Sequence, residues 1–167
     1  MQRIAACLVA TAVQALLPST TAVADSVSVR PRARASVLGA LDRRVVDHLV
    51  FTVPLGKFRS ERSRAKRSHR WLITSTDGCS APLVGSRGAS FDFRLACERH
   101  DFAYANFTAL ARLGVGVTWD STLRARVDDQ FQRDMQESCA RRRHSERLRC
   151  DAWVVVFFHA VRVAAGP

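Results

Sequence analysis

A small all-α domain is the fold class that this sequence predicts, and three observations lead there. The chain has 167 residues, 47% hydrophobic and 25% charged, enough to bury one core but not to divide into two domains. With only 8 Gly and 5 Pro it is neither disordered nor fibrous in composition. Apolar residues recur three to five apart in successive stretches, the period of a helix with one buried face. Four cysteines remain once the N-terminal segment is set aside, an even number suited to two disulfides in an exported chain.

That N-terminal segment reads as a signal peptide over residues 1–24. Met1-Gln2-Arg3 is a short positive start, Ile4 to Leu17 is mostly apolar, and Ala22-Val23-Ala24 offers small residues for cleavage after Ala24. Its apolar run is short for a membrane span and is followed by polar Ser19-Thr20-Thr21. Cleavage removes Cys7 and leaves Cys79, Cys97, Cys139 and Cys150, which can pair in three ways. Sequential pairing closes the two shortest loops. Residues 25–36, with Arg30-Pro31-Arg32-Ala33-Arg34, read as a flexible basic leader, and the domain itself as 37–167.

The elements follow in order. Val37, Leu38, Leu41, Val45, Leu49 and Val50 predict an amphipathic helix that Pro54 and Gly56 end. Lys57 to Arg70 then carries seven Lys/Arg and one Glu. It reads as a solvated helix face or loop, with a processing site at Arg64-Ala65-Lys66-Arg67 or an anionic contact as alternatives. Thr74 to Ser80 and Ala81 to Gly88 read as loops. From Phe91 a second helix is predicted, carrying Leu95, Phe102, Tyr104, Phe107 and Leu110 and ended by Gly114 and Gly116. Asp120 or Ser121 caps a third, whose Leu123, Val127, Phe131 and Met135 stand four apart. Ala140 to Arg149 reads as a polar connection with five Arg. Cys150 to Val163 reads as a buried terminal helix, with a strand as the alternative on its Val content.

Two of these helices carry the chemistry. Cys97, His100, Asp101 and Tyr104 stand at i, i+3, i+4 and i+7, on one side of the second helix. On the third, Asp128 lies at the edge of the apolar face with Phe131 and Met135, whereas Asp129 and Arg133 turn away. A carboxylate so placed requires a partner, either a histidine on the facing helix or an arginine such as Arg124. Tyr104 reads as a core aromatic with a satisfied hydroxyl. Asn106-Phe107-Thr108 is a glycosylation sequon, usable only if exposed.

Taken together, Thr76-Asp77-Gly78-Cys79-Ser80, Phe91-Asp92-Phe93, Ala96-Cys97-x-x-His100-Asp101-Phe102-x-Tyr104-x-Asn106, Arg126-Val127-Asp128-x-x-Phe131 and Cys139 resemble the secreted bacterial and fungal phospholipase A2 family. The resemblance runs from about Val46 to Val163. It implies two antiparallel, disulfide-linked catalytic helices, with His100 as general base and Asp128 orienting it. It implies Ca²⁺ held by the carboxylates of Asp77 and Asp101 and the carbonyl of Gly78, with a backbone N–H near Gly78 assisting the oxyanion. It supports the pairing Cys79–Cys97 and Cys139–Cys150, gives Tyr104 a place beside the dyad, and implies hydrolysis of the sn-2 ester of a glycerophospholipid.

The chain departs from the family pattern in several places. Ala103 stands where Gly is usual and Ala105 where Arg is common, the Ser80 to Ser90 loop is long, and Gly114 to Trp119 reads as an insertion with an exposed Trp. The expected partner is a phospholipid membrane or micelle surface, met by a secreted monomer. A formal charge of +11 suits anionic headgroups, with Lys57 to Arg70 and Arg141 to Arg149 as candidate contacts. The same charge suits a non-catalytic cationic protein that coats or disrupts anionic membranes. It also suits a basic nuclease, but no aromatic platform for bases accompanies it.

Overall fold

The computed structural model describes residues 40, 42–79 and 85–164, so the expected signal peptide and basic leader lie outside the described residues. The first helix, α1, covers residues 42–47 and widens into a π turn over His48–Thr52, closed by the Val53 N–H on the His48 carbonyl at 3.0 Å. Val53 is then extended, as a residue before proline must be. A 3₁₀ turn, Leu55–Lys57, leads into α2, Phe58–Ser68. An irregular segment follows, then α3, Arg94–Arg112, α4, Ser121–Ala140, and α5, His144–Ala164. Among the described residues there is no named strand, and none of the helices is long and apolar enough to cross a membrane.

Helix α2 carries the basic run, and its single buried residue is Phe58, packed edge-on to Phe102 at 5.6 Å. Its cations are not simply solvated. Arg59 and Arg62 both pair with Glu98 on α3, and the Lys66 ammonium donates to the carbonyls of Arg70 and Leu72 just beyond the helix. Beyond α2 the chain runs along α3, where Asn106 is fully buried and holds it. The Asn106 side chain accepts from the Ile73 N–H at 2.9 Å and donates to the carbonyls of Ile73 and Phe102, each at 2.8 Å. The sequon asparagine is therefore a structural clamp, closed to glycosylation.

Helix α3 starts three residues later than its composition suggests. Asp92 forms an isolated bridge with Arg87, and its carboxylate takes the Arg94 guanidinium at 2.9 and 2.7 Å. Phe91 and Phe93 turn inward instead, onto Trp153 and Phe157 of α5 at 5.0 and 5.4 Å. Asp120 caps α4, its carboxylate accepting from the Leu123 N–H at 2.9 Å. Helix α5 begins at His144, well before Cys150, because the polar run contains no Gly or Pro and is built of residues that favour helix. Its burial is one-sided: Cys150, Val154 and Phe157 face inward, while Val155 and Val156 are exposed.

Helices α3 and α4 run antiparallel, Arg99 meeting Asp134 and Tyr104 meeting Asp128. The disulfides pair sequentially, Cys79–Cys97 tying the irregular segment to α3 and Cys139–Cys150 tying α4 to α5. Two apolar clusters form. One gathers Val46, Leu49, Val50, Phe58, Phe102, Phe107 and Val127; the other gathers Phe91, Phe93, Phe131, Met135, Val154 and Phe157. The α3–α4 pair spans both.

One ion pair lies within that packing. The buried Arg99 donates to both carboxylate oxygens of buried Asp134, at 2.7 and 2.5 Å, and to the Val53 carbonyl, while Gln130 donates to Asp134 at 2.8 Å. Removing one partner strands a charge. Arg99→Met is expected to destabilise the domain by about 3–5 kcal/mol, and Arg99→Met with Asp134→Leu to regain most of that, as read from urea unfolding midpoints. Equal losses in the single and double variants would contradict the stranded charge as the cause.

Candidate active site

The site forms where the two clusters meet. His100 lies between the rings of Tyr104 and Phe131, at centroid distances of 4.5 and 4.7 Å. Its Nε2 is 2.9 Å from Oδ1 of Asp128, which is 1% exposed. The Tyr104 hydroxyl donates to that same oxygen at 2.8 Å. Both readings of Tyr104 hold at once, since it is an aromatic packed on the core and a donor to the carboxylate. Burial, then the bond to Asp128, pushes the Tyr104 hydroxyl well above its ordinary pKa, so it stays a donor. With Nε2 engaged by an acceptor, Nδ1 is the ring nitrogen left to take up a proton.

Asp101, the next residue, faces a separate feature. It lines an open cleft of about 470 Å³ with Ser75, Thr76, Asp77, Tyr104 and Ala105. Its Oδ2 accepts from the Thr76 hydroxyl and from the Gly78 N–H at 3.0 Å. Gly78 has φ of +74°, a left-handed conformation that glycine adopts without penalty, and this bends the loop so that its N–H meets Asp101. The N–H expected near an oxyanion is thus engaged with Asp101 in this structure.

The cleft chemistry suits a hard cation. Burial lifts the Asp101 carboxyl above its ordinary pKa; the Thr76 bond opposes that lift and the charge of Asp77 adds to it. Two carboxylates are thus held near one another in a partly desolvated place, a condition that a divalent ion relieves. Among the described residues no three His, Cys, Asp or Glu side chains converge on one point. An ion here would draw the rest of its shell from loop carbonyls, including that of Gly78, and from water.

Three neighbours were not identified from the sequence. Arg162, on α5, brings Nη1 to 3.9 Å from Oδ2 of Asp128 and Nη2 to 3.0 Å from Asp129, so a second arginine besides the suggested Arg124 bears on the dyad carboxylate. Trp119 is half-buried against Tyr104 at 4.8 Å, edge to face, not exposed as expected. Thr76 fixes Asp101. Arg162 and Trp119 come from α5 and the α3–α4 loop, and nothing in helical spacing relates them to His100. Thr76 adjoins Asp77, and its hydroxyl was the available clue.

A helical, disulfide-tied domain with a buried histidine–carboxylate pair beside an acidic cleft has the makings of a hydrolase that activates water. The family model for prokaryotic phospholipase A2 matches residues 46–165, and the chain belongs to that family as a phospholipase A2 enzyme. It is 31% identical over 145 residues to a secretory phospholipase A2 of Beauveria bassiana, covering 83% of this chain and 70% of the relative. It is 29% identical over 135 residues to a secretory phospholipase A2 of Arthroderma benhamiae, covering 79% and 82%.

The Tyr104 hydroxyl bond is open to direct measurement. Tyr104→Phe keeps the ring and removes a donor to a buried carboxylate, so stability should fall by about 1.5–3 kcal/mol with the helical circular dichroism retained. An unchanged unfolding midpoint would show that the bond contributes nothing.

Proposed function

We propose that the protein is a secreted, Ca²⁺-dependent phospholipase A2 that hydrolyses the sn-2 ester of glycerophospholipids to a lysophospholipid and a free fatty acid. The observation that carries this reading is the 2.9 Å contact of His100 Nε2 with buried Asp128, one residue from a carboxylate lining the cleft. His100 takes a proton from the attacking water at Nδ1 and returns it to the leaving alkoxide. Asp128 holds the ring in one tautomer and stabilises the imidazolium as it forms. Tyr104 holds Asp128. Asp77, Asp101 and the Gly78 carbonyl would hold Ca²⁺, which when bound would offer positive charge to the lipid phosphate and to the developing oxyanion.

Export is supported by the two disulfides, which suit an oxidising compartment, by relatives named secretory, and by the sequence of residues 1–24. The partner is a phospholipid surface, reached peripherally by a monomer.

Fatty-acid release from phospholipid vesicles tests the proposal. Release should require Ca²⁺ and stop with excess chelator, and His100→Ala should lower kcat by about 10²–10⁴-fold. Asp101→Asn should raise the Ca²⁺ concentration needed for half-maximal rate. Membrane lysis that persists undiminished in His100→Ala and in chelator would replace this reading with the non-catalytic cationic one.

A further inference from the structure

Helix α5 presents two opposite faces, and among the described residues only one is covered. Cys150, Val154 and Phe157 pack into the core. On the other side Leu148 is 80% exposed, Val155 and Val156 are each 53% exposed, and Val163 is 81% exposed, with Ala152 and His159 exposed among them. At 100° per residue these six positions fall within roughly 60° of a single line along the helix, about 22 Å long. Their centre lies opposite the buried seam. This is not the scatter of single apolar residues normal on a surface, because leucine and three valines share one face without a carboxylate. Arg149 and Arg162 flank the two edges.

We infer that this outer face of α5 is the surface by which the enzyme adsorbs to anionic phospholipid, its valines and Leu148 entering the headgroup boundary while the flanking arginines meet phosphate. The inference rests on the lipid substrate proposed above and deepens it by naming the element that touches the lipid. Three observations select a membrane over other occupants. The stripe is apolar with cationic edges, the pattern of a helix lying in an interface. The chain carries +11, so two copies brought face to face would repel, whereas an anionic surface attracts the same charge. The last turns of α5 also lie beside the dyad, Arg162 standing 3.9 Å from Asp128, which holds the adsorbed face close to the chemistry.

The alternative basic surface is less suited. Helix α2 turns its one large apolar side chain, Phe58, inward and presents charge along the rest of its length. Its nearest exposed apolar residues, Trp71 and Ile73, lie beyond the helix and are each 37% exposed, less than any of the four on α5.

The test compares wild type with Val155→Glu/Val156→Glu and with Val156→Trp, all at exposed positions where the fold tolerates change. Sedimentation with phosphatidylglycerol vesicles reads adsorption, and hydrolysis of a short-chain phospholipid below its micelle concentration reads the site alone. The double glutamate variant should lose at least about tenfold in vesicle partitioning and in vesicle hydrolysis, with the monomeric substrate turned over as by wild type. Val156→Trp should adsorb more tightly. Unchanged partitioning in both variants would overturn the inference, as would a wild-type dimer in sedimentation velocity that the glutamates dissociate. A wild type that hydrolyses neither lipid form yet adsorbs through α5 would support the surface and remove the proposed activity.

Discussion

The constraint on which the structure depends is the burial of two carboxylates on one helix. Asp128 and Asp134 of α4 are almost wholly removed from water, and an ionised carboxylate there is tolerable only if donors reach it. Helix α3 supplies donors to both, His100 and Tyr104 for Asp128 and Arg99 for Asp134, with Gln130 of α4 adding to Asp134 and Arg162 of α5 standing beside Asp128. A slip of one turn between the helices would leave at least one acid unmatched. The register that places the histidine is therefore enforced by electrostatics as well as by apolar packing. Arg99 extends the constraint to α1 through the Val53 carbonyl, and the two disulfides bring in the cleft loop and α5.

Much of this was legible in the sequence, for identifiable reasons. The four-residue spacing of Leu123, Val127, Phe131 and Met135 placed α4 and put Asp128 at its inner edge, where the structure has it. The spacing of Cys97, His100, Asp101 and Tyr104 placed four groups on one side of α3, and each meets a partner across it. What escaped was long-range. Asp134 was not singled out although it is as buried as Asp128, because the arginine that neutralises it lies 35 residues away. Trp119 sits in a segment without periodicity, so its contact with Tyr104 left no signal. Asn106 matched a sequon by composition, while its burial depends on the extended segment that lies across it. The start of α5 was misplaced because a charge-rich stretch was read as a connection, although charged residues are good helix formers.

The departures from the family pattern acquire a physical meaning once placed. Ala103 is fully buried in the core that α3 shares with α1, so its added methyl is absorbed by packing rather than projected toward the site. Ala105 lines the cleft beside Asp77 and Asp101. An arginine there would bring a cation to the rim. With alanine, no cation comes from position 105, and Asp101 keeps the Thr76 hydroxyl and the Gly78 N–H as donors.

A chain of +11 with an acidic cleft looks contradictory until distance is considered. At physiological ionic strength an exposed charge is screened within about 8 Å, so arginines spread over α2, α5 and the α4–α5 turn govern the approach to a surface but not the interior of the cleft. Inside it, Asp77 and Asp101 are the nearest charges, and burial strengthens their mutual effect. The two fields therefore act at different ranges. The outer one is positive over the surface, and the inner one is negative within the cleft, where the excess of positive charge outside does not cancel it. Asp77 and Asp101 reach the cleft from one loop and one turn of α3, so their field stays local although the other acids of the chain are spread over its helices.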